Sequence, residues 1–251
     1  MITHPVPDSV RTAHGDAWHA HGRLRAEAGG WTLDLPGIRL MASGLPKPQW
    51  NNGDVTDPSL VDIDAVRAWY AAHEVPWGVR VPAGAAWPHG RHLFAKRCMA
   101  LHPDRLRPVE PPPGLELRPA GPGDLDAYAC VDAIAFDEDD VGPTVQWTRP
   151  MLGADDFRLA LAVLDADPVG VAYAVRTSGG GGRAVGVSGV GVVPSVRRRG
   201  VGSALTSYVV RWGFDSGADL AWLNPDTDDA ARLYSAMGFE ETGGFDVYVE
   251  N

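Results

Sequence analysis

The residues best suited to chemistry lie in one stretch, Val190-Gly191-Val192-Val193-Pro194-Ser195-Val196-Arg197-Arg198-Arg199-Gly200-Val201-Gly202-Ser203-Ala204-Leu205. A strand-like run meets a glycine-containing turn and opens directly onto a helix whose apolar positions Leu205, Val209 and Trp212 recur at helical spacing. That geometry makes an anion site. Several amides of the turn and first helical turn lack internal acceptors, and the helix dipole adds partial positive charge there, so main chain can hold a diphosphate. Gly200 and Gly202 let the backbone approach such a ligand without a Cβ in the way. A Rossmann site also places glycines before a helix, but it needs a first βαβ unit with an acidic residue about 20 positions on. No G-x-x-x-x-G-K-S/T occurs for a P-loop.

The charge pattern singles out the same turn. Net charge is −10, yet residues 1–110 hold 12 Lys+Arg against 11 Asp+Glu while residues 111–251 hold 10 against 21. The second part attracts cations and repels nucleic acid. Three consecutive arginines, Arg197 to Arg199, inside so acidic a segment favour a phosphate partner over a solvated turn. The acidic run Asp137-Glu138-Asp139-Asp140 has two readings. It is a solvated turn, or it draws in a cationic ligand.

The elements that must position these residues fall into two parts. Arg107-Pro108-Val109-Glu110-Pro111-Pro112-Pro113-Gly114 cannot continue a helix or a central strand and reads as a linker over 108–114. Before it, residues 1–107 form a smaller α+β domain. Its helices are expected over 9–28 and 61–73, and its strands over 31–35, 38–42 and 77–82. After it, residues 115–251 read βααβββαβαβ, with strands at 115–119, 158–164, 169–176, 184–193, 219–223 and 245–250. Helices are expected over 124–136, 144–152, 202–216 and 226–237. Ser178-Gly179-Gly180-Gly181-Gly182-Arg183 reads as a flexible hairpin loop. The fold class is α+β with a mixed sheet.

Composition closes off other classes. The chain of 251 residues is 45% hydrophobic and 22% charged, which rules out wholesale disorder. No stretch approaches the roughly 20 apolar residues of a bilayer span. His4, Asp8, Arg11 and Asp16 stand where a secretion signal would be apolar, so a cytoplasmic location is expected. Cys98 and Cys130 are too far apart for a CxxC pair and read as packing residues. The eight histidines, including His19/His21 and His89/His92, lack supporting ligands at metal spacing, so no metal is expected. Trp31, Trp50, Trp69, Trp77 and Trp87 read as core or interface residues.

The stretch from Arg197 to Gly202 resembles the acetyl-CoA signature R-x-x-G-x-G/A of the GCN5-related N-acetyltransferase superfamily. Val192-Val193-Pro194 is similar to that family's V-x-P strand end. Residues 224–239, from Asn224 to Phe239, resemble its N-x-x-A-x-x-L-Y-x-x-x-G-F block. The resemblance covers about residues 115–250 and implies a GNAT fold there, with acetyl-CoA as acyl donor. It implies transfer to a primary amine, that of a small cationic molecule, by direct attack. A non-catalytic acyl-CoA-binding module and a protein or peptide N-acetyltransferase are the alternatives. The resemblance also places the cofactor against Val190, Gly191, Val192, Arg197, Arg198, Arg199, Gly200, Val201, Gly202, Ser203 and Ala204, with Asn224 nearby. Tyr234 would be the proton donor to the departing thiolate, or a packing residue beside it. Thr227 stands where members often have Asn, and Trp222 where some have a Glu base. Residues 43–53 with 75–79 resemble the degenerate N-terminal half of two-part members. That implies a pseudo-repeat bracing the catalytic part or walling its cleft, with no site for a membrane or nucleic acid.

Overall fold

Strand alternation and helical spacing combine into one eleven-stranded sheet, and the computed structural model describes residues 7–250 of the chain. His4 lies outside them. The first part runs α1 (Pro7–Leu24), β1 (Trp31–Leu35), β2 (Ile38–Ala42), β3 (Asn52–Val55), α2 (Ile63–His73), β4 (Gly78–Pro82) and β5 (Arg91–Leu101). The second runs β6 (Leu115–Pro119), α3 (Leu125–Phe136), α4 (Gly142–Thr148), β7 (Phe157–Leu164), β8 (Asp167–Gly179) and β9 (Gly182–Val192). It ends with α5 (Val201–Asp215), β10 (Leu220–Leu223), α6 (Asp228–Ala236) and β11 (Glu240–Val249). Local chemistry sets several boundaries. Asp62 accepts from the amides of Asp64 and Ala65 to start α2, and Thr227 accepts from Ala230 to start α6.

The sheet order is β1-β2-β3-β4-β11-β5-β10-β9-β8-β7-β6. The same unit occurs twice in it. Antiparallel β1-β2-β3 leads through α2 to a parallel β4, just as antiparallel β7-β8-β9 leads through α5 to a parallel β10. The strand after each unit then crosses to the other: β5 pairs with β10, β11 pairs with β4, and the two exchanged strands pair with each other.

Sequence patterns missed β3 and β5. β3 reads Asn-Gly-Asp-Val, and β5 is exposed over Arg91–Ala95 and buried only from Cys98 onward, so neither alternates cleanly. One core cluster joins α1 and α3 to one sheet face through Val10, Tyr128 and Trp222; another seats α5 through Leu205 and Val209. The glycine-rich hairpin, expected to be flexible, is docked instead. Gly181 donates its amide to Asp16 Oδ2 at 2.9 Å, and a Cβ at Gly181 would lie 2.3 Å from the Ala13 nitrogen on α1. No described helix is long and apolar enough to cross a membrane.

Candidate active site

The site begins with the end of β9. Gly189 has φ +60° and sits in a bulge between Val171/Gly191 and Tyr173/Ser188 of the β8 pairing. β9 pairs with β10 only over Ala184–Gly186, so residues 187–192 diverge from it and open a cleft. Val193 donates to Val169 of β8, which leaves the amide of Val192 facing the diverging edge while its carbonyl accepts from Arg197. Gly191 has no room for a side chain because Ala135 and Phe136 at the end of α3 close on it.

The turn that follows is built for an anion. Arg198 and Gly200 are left-handed, at φ +62° and +84°, and Ala204 N is the first amide of α5 to find a helical acceptor, Gly200 O at 3.0 Å. The amides of Val201, Gly202 and Ser203 therefore point out of the helix N-terminus. A Cβ on Gly202 would meet only Val192 Cγ2 at 3.7 Å and Val190 Cγ1 at 4.0 Å, so its α-carbon faces open space. The arginines divide their work. Arg197 donates to Val192 O and Ala135 O, tying the turn to β9 and α3, while exposed Arg198 pairs with Asp229 of α6. Arg199 is exposed beside them. The donor set of outward amides with two solvent-facing guanidinium groups fits a diphosphate.

Tyr234 projects from α6 and is half-buried. Its pKa is pushed up to about 12, first by burial and then by the charge of Asp226, against a hydrogen bond with the Thr206 hydroxyl. Thr206 donates its hydroxyl to Gly202 O at 2.9 Å in the first turn of α5. Met237, Phe239 and Ala231 bury the inner side of α6.

On the opposite side of the diverging strands lies a cavity of about 460 Å³, bounded by α3, α4, β8, β9 and β10 of the second part and by α1, β3, β4 and β5 of the first. Trp222, 2% exposed, forms part of its wall and packs against His14 with ring centroids 4.9 Å apart and planes tilted by 53°. Asn224 also lines the cavity, its Nδ2 donating to Arg97 O and Cys98 Sγ of β5. Of the acidic run only Glu138 reaches the cavity, where it pairs with Lys47 at 2.5 Å. Asp137 is the left-handed cap of α3, Asp140 accepts from Gly142 N, and Asp139 is exposed.

Sequence reasoning missed the carboxyl that matters here. Asp132 sits on α3 one turn from Tyr128 and from Phe136, so the three share a stripe that lines the cavity. Burial, with the charge of Glu138 adding to it, raises its pKa from 3.8 to about 7. Its Oδ1 lies 3.9 Å from where a Cβ on Gly189 would stand, next to the diverging strand. A legible signal existed: Asp132 is the single carboxylate in the last two turns of an otherwise apolar helix, where aspartate has poor propensity. Trp50, read as core or interface, lines the cavity and stacks on Trp147 at 4.9 Å.

Two curated acetyltransferases match parts of the chain. A segment of mycothiol acetyltransferase from Clavibacter michiganensis subsp. michiganensis is 34% identical over 105 residues, covering 41% of this chain and 32% of that protein. Aminoglycoside N(6′)-acetyltransferase type 1 of Salmonella typhimurium is 38% identical over 58 residues, 22% of this chain and 40% of that protein. The chain thus spans between a third and two fifths of these curated relatives. A solved GCN5-related N-acetyltransferase from Kribbella flavida superposes with a TM-score of 0.71 at 22% identity, covering 93% of this chain and 95% of that one, and so shares the fold. The model of the family described as "Probable histone acetyltransferase Rv0428c C-terminal" matches residues 13–244, nearly the whole described chain. The chain belongs to that family, and with it to the GCN5-related N-acetyltransferase superfamily.

Proposed function

We propose that the protein transfers the acetyl group of acetyl-CoA to the primary amine of a small cationic molecule. The observation that carries this reading is the junction of two sites at one diverging strand. The anion-binding turn lies at the C-terminal end of β9, and the 460 Å³ cavity with its unpaired carboxyl opens beside the bulge at Gly189. Bound acetyl-CoA would supply an acyl carbon activated as a thioester. Main-chain groups of 190–192 would align the arm that carries it, with the amides of 200–203 and Arg199 holding the diphosphate. Asp132 takes a proton from the ammonium, because an amine attacks only through a free lone pair. Tyr234, protonated across the neutral range, gives its proton to the departing sulfur. Residues up to 107 supply the far wall through His14, Trp50 and Arg80, and 115–251 hold both reacting groups.

The relatives' names support acetyl transfer, and the aminoglycoside enzyme supports an amine acceptor. The family's description favours a second reading, acetylation of a protein lysine. Thiol release from acetyl-CoA, measured with small amines and with histone-tail peptides, separates the two. Turnover with the small amines at least about tenfold above the peptides is expected. Acetyl-CoA binding without turnover on either set refutes transfer and leaves a binding module.

A further inference from the structure

The ionisable groups facing the cavity are almost all engaged. Lys47 pairs with Glu138 at 2.5 Å, Lys96 with Asp226 at 2.7 Å, and Arg80 with Asp54 at 2.9 Å. His14 is held between Asp54 and the indole of Trp18, and burial, against the hydrogen bond it donates to Asp54, lowers its pKa to about 4. Asp132 is left as the one lining carboxylate without an ion pair among the described residues. A ligand with one ammonium group finds its counter-charge there. A polycation would have to break Lys47–Glu138 or Lys96–Asp226 and would face the freed lysine.

The rest of the wall is chiefly flat and apolar. Nine of its side chains are Trp, Tyr or Phe, and Trp50 and Trp147 stack nearly parallel, at 7°. Phe94 on β5 and Phe136 on α3 line the same cavity, yet each is 46% exposed, which places them at its mouth. Two phenyl rings in water at one opening are poorly placed for folding and well placed to receive an apolar body. Phe136 also reaches Gly191, so this opening borders the reacting strand.

We infer that the acceptor is a monoamine on a flat apolar body, of the arylalkylamine type, with its ammonium against Asp132 and its body among Trp50, Trp147, Phe94 and Phe136. This assignment rests on the acetyl-transfer reading for its chemistry, but the recognition it describes is a matter of binding alone. The test therefore reads both. Full-length protein with CoA is titrated with 2-phenylethylamine, n-propylamine, spermidine and kanamycin by calorimetry, and the same amines are assayed for thiol release. Burial of a ring is expected to make 2-phenylethylamine bind about 30-fold or more above n-propylamine and above spermidine. Phe136→Ala, exposed enough to leave the fold intact, should cut that preference to about fivefold or less. Trp50→Ala should do the same. Aryl-selective binding with no turnover of any amine upholds this assignment and refutes acetyl transfer. Binding of spermidine or kanamycin as tight as that of 2-phenylethylamine, or a Phe136→Ala variant that keeps the full aryl preference, overturns it.

Discussion

Replacing Asp132 with Asn should harm catalysis and strengthen the fold at once. The carboxyl is raised from 3.8 to about 7 by burial, with Glu138 adding to it; Tyr128 and Tyr173 are its other titratable neighbours, and Lys47 is occupied by Glu138. A raised carboxyl favours the folded state fully below pH 4, where both states are protonated or nearly so. That advantage is lost as pH rises to 7, because the unfolded chain releases its proton first. Three pH units at 1.36 kcal/mol each set a ceiling of about 4 kcal/mol, and partial solvent access lowers it to about 2 kcal/mol. Asn fills the same volume without titrating. Thermal melts of both forms should therefore run parallel near pH 4 and separate in favour of Asp132→Asn up to pH 7, by about 4–8 °C for a chain of this size. Activity should move the other way. The ascending limb of kcat/KM near pH 7 should vanish and kcat at pH 8 fall about 10²-fold. A variant with wild-type kcat and an unchanged ascending limb would show that Asp132 does not carry the proton. Equal melts from pH 4 to 8 would show that its carboxyl is not buried as described.

Tyr234→Phe should lower kcat by about 10²-fold in rapid-quench assays while acetyl-CoA affinity stays within twofold, because the ring keeps its contact with Phe239 and only the hydroxyl is lost. Gly202→Ala should leave the melting temperature unchanged or higher, as its Cβ has space and alanine favours a helix. It should still weaken acetyl-CoA at least tenfold in calorimetry. Gly200→Ala should instead cost about 1–2 kcal/mol in urea unfolding, since φ +84° suits only glycine there. His14 and His21 are buried, which lowers both pKa values to about 4 despite bonds to Asp54 and to Ala17 O that favour the charged form. Neutral in the folded protein, they stabilise above pH 6.5 and lose that contribution as pH falls towards 4, at up to about 3 kcal/mol each. Chemical unfolding across that window should show the loss, and His21→Phe should make it shallower.

The anion turn was readable because its logic is local: strand, Gly200, helix and three arginines are contiguous, and the main chain does most of the work. Tyr234 was readable from the Leu-Tyr and Gly-Phe pattern around it. The cavity was not, since its walls come from α1, β3, β5 and α3, which no spacing rule brings together. Asp132 carried only the faint mark of a lone carboxylate in the apolar half of α3; its burial against β9 is a property of packing. The acidic run is conspicuous in sequence for its charge, but the pairing of its cavity-lining member Glu138 with Lys47, from the other part of the chain, was not legible there. Thr227, which stands where members of the superfamily often have Asn, serves as the cap of α6.

The exchange of β5 and β11 governs how the molecule can be made. β5 is flanked by β10 and β11, and β4 by β11 on its inner side, so the earlier strands wait with unpaired edges until residues 220–249 have been synthesised. Neither half completes its own hydrogen-bond ladder. Such long-range pairing is slow, and the waiting edges are open to the same strands of another copy. At high concentration during refolding, β11 of one molecule should fill the gap beside β4 of a second, giving intertwined dimers with the native pairing throughout. Dilution should steer the yield towards monomer.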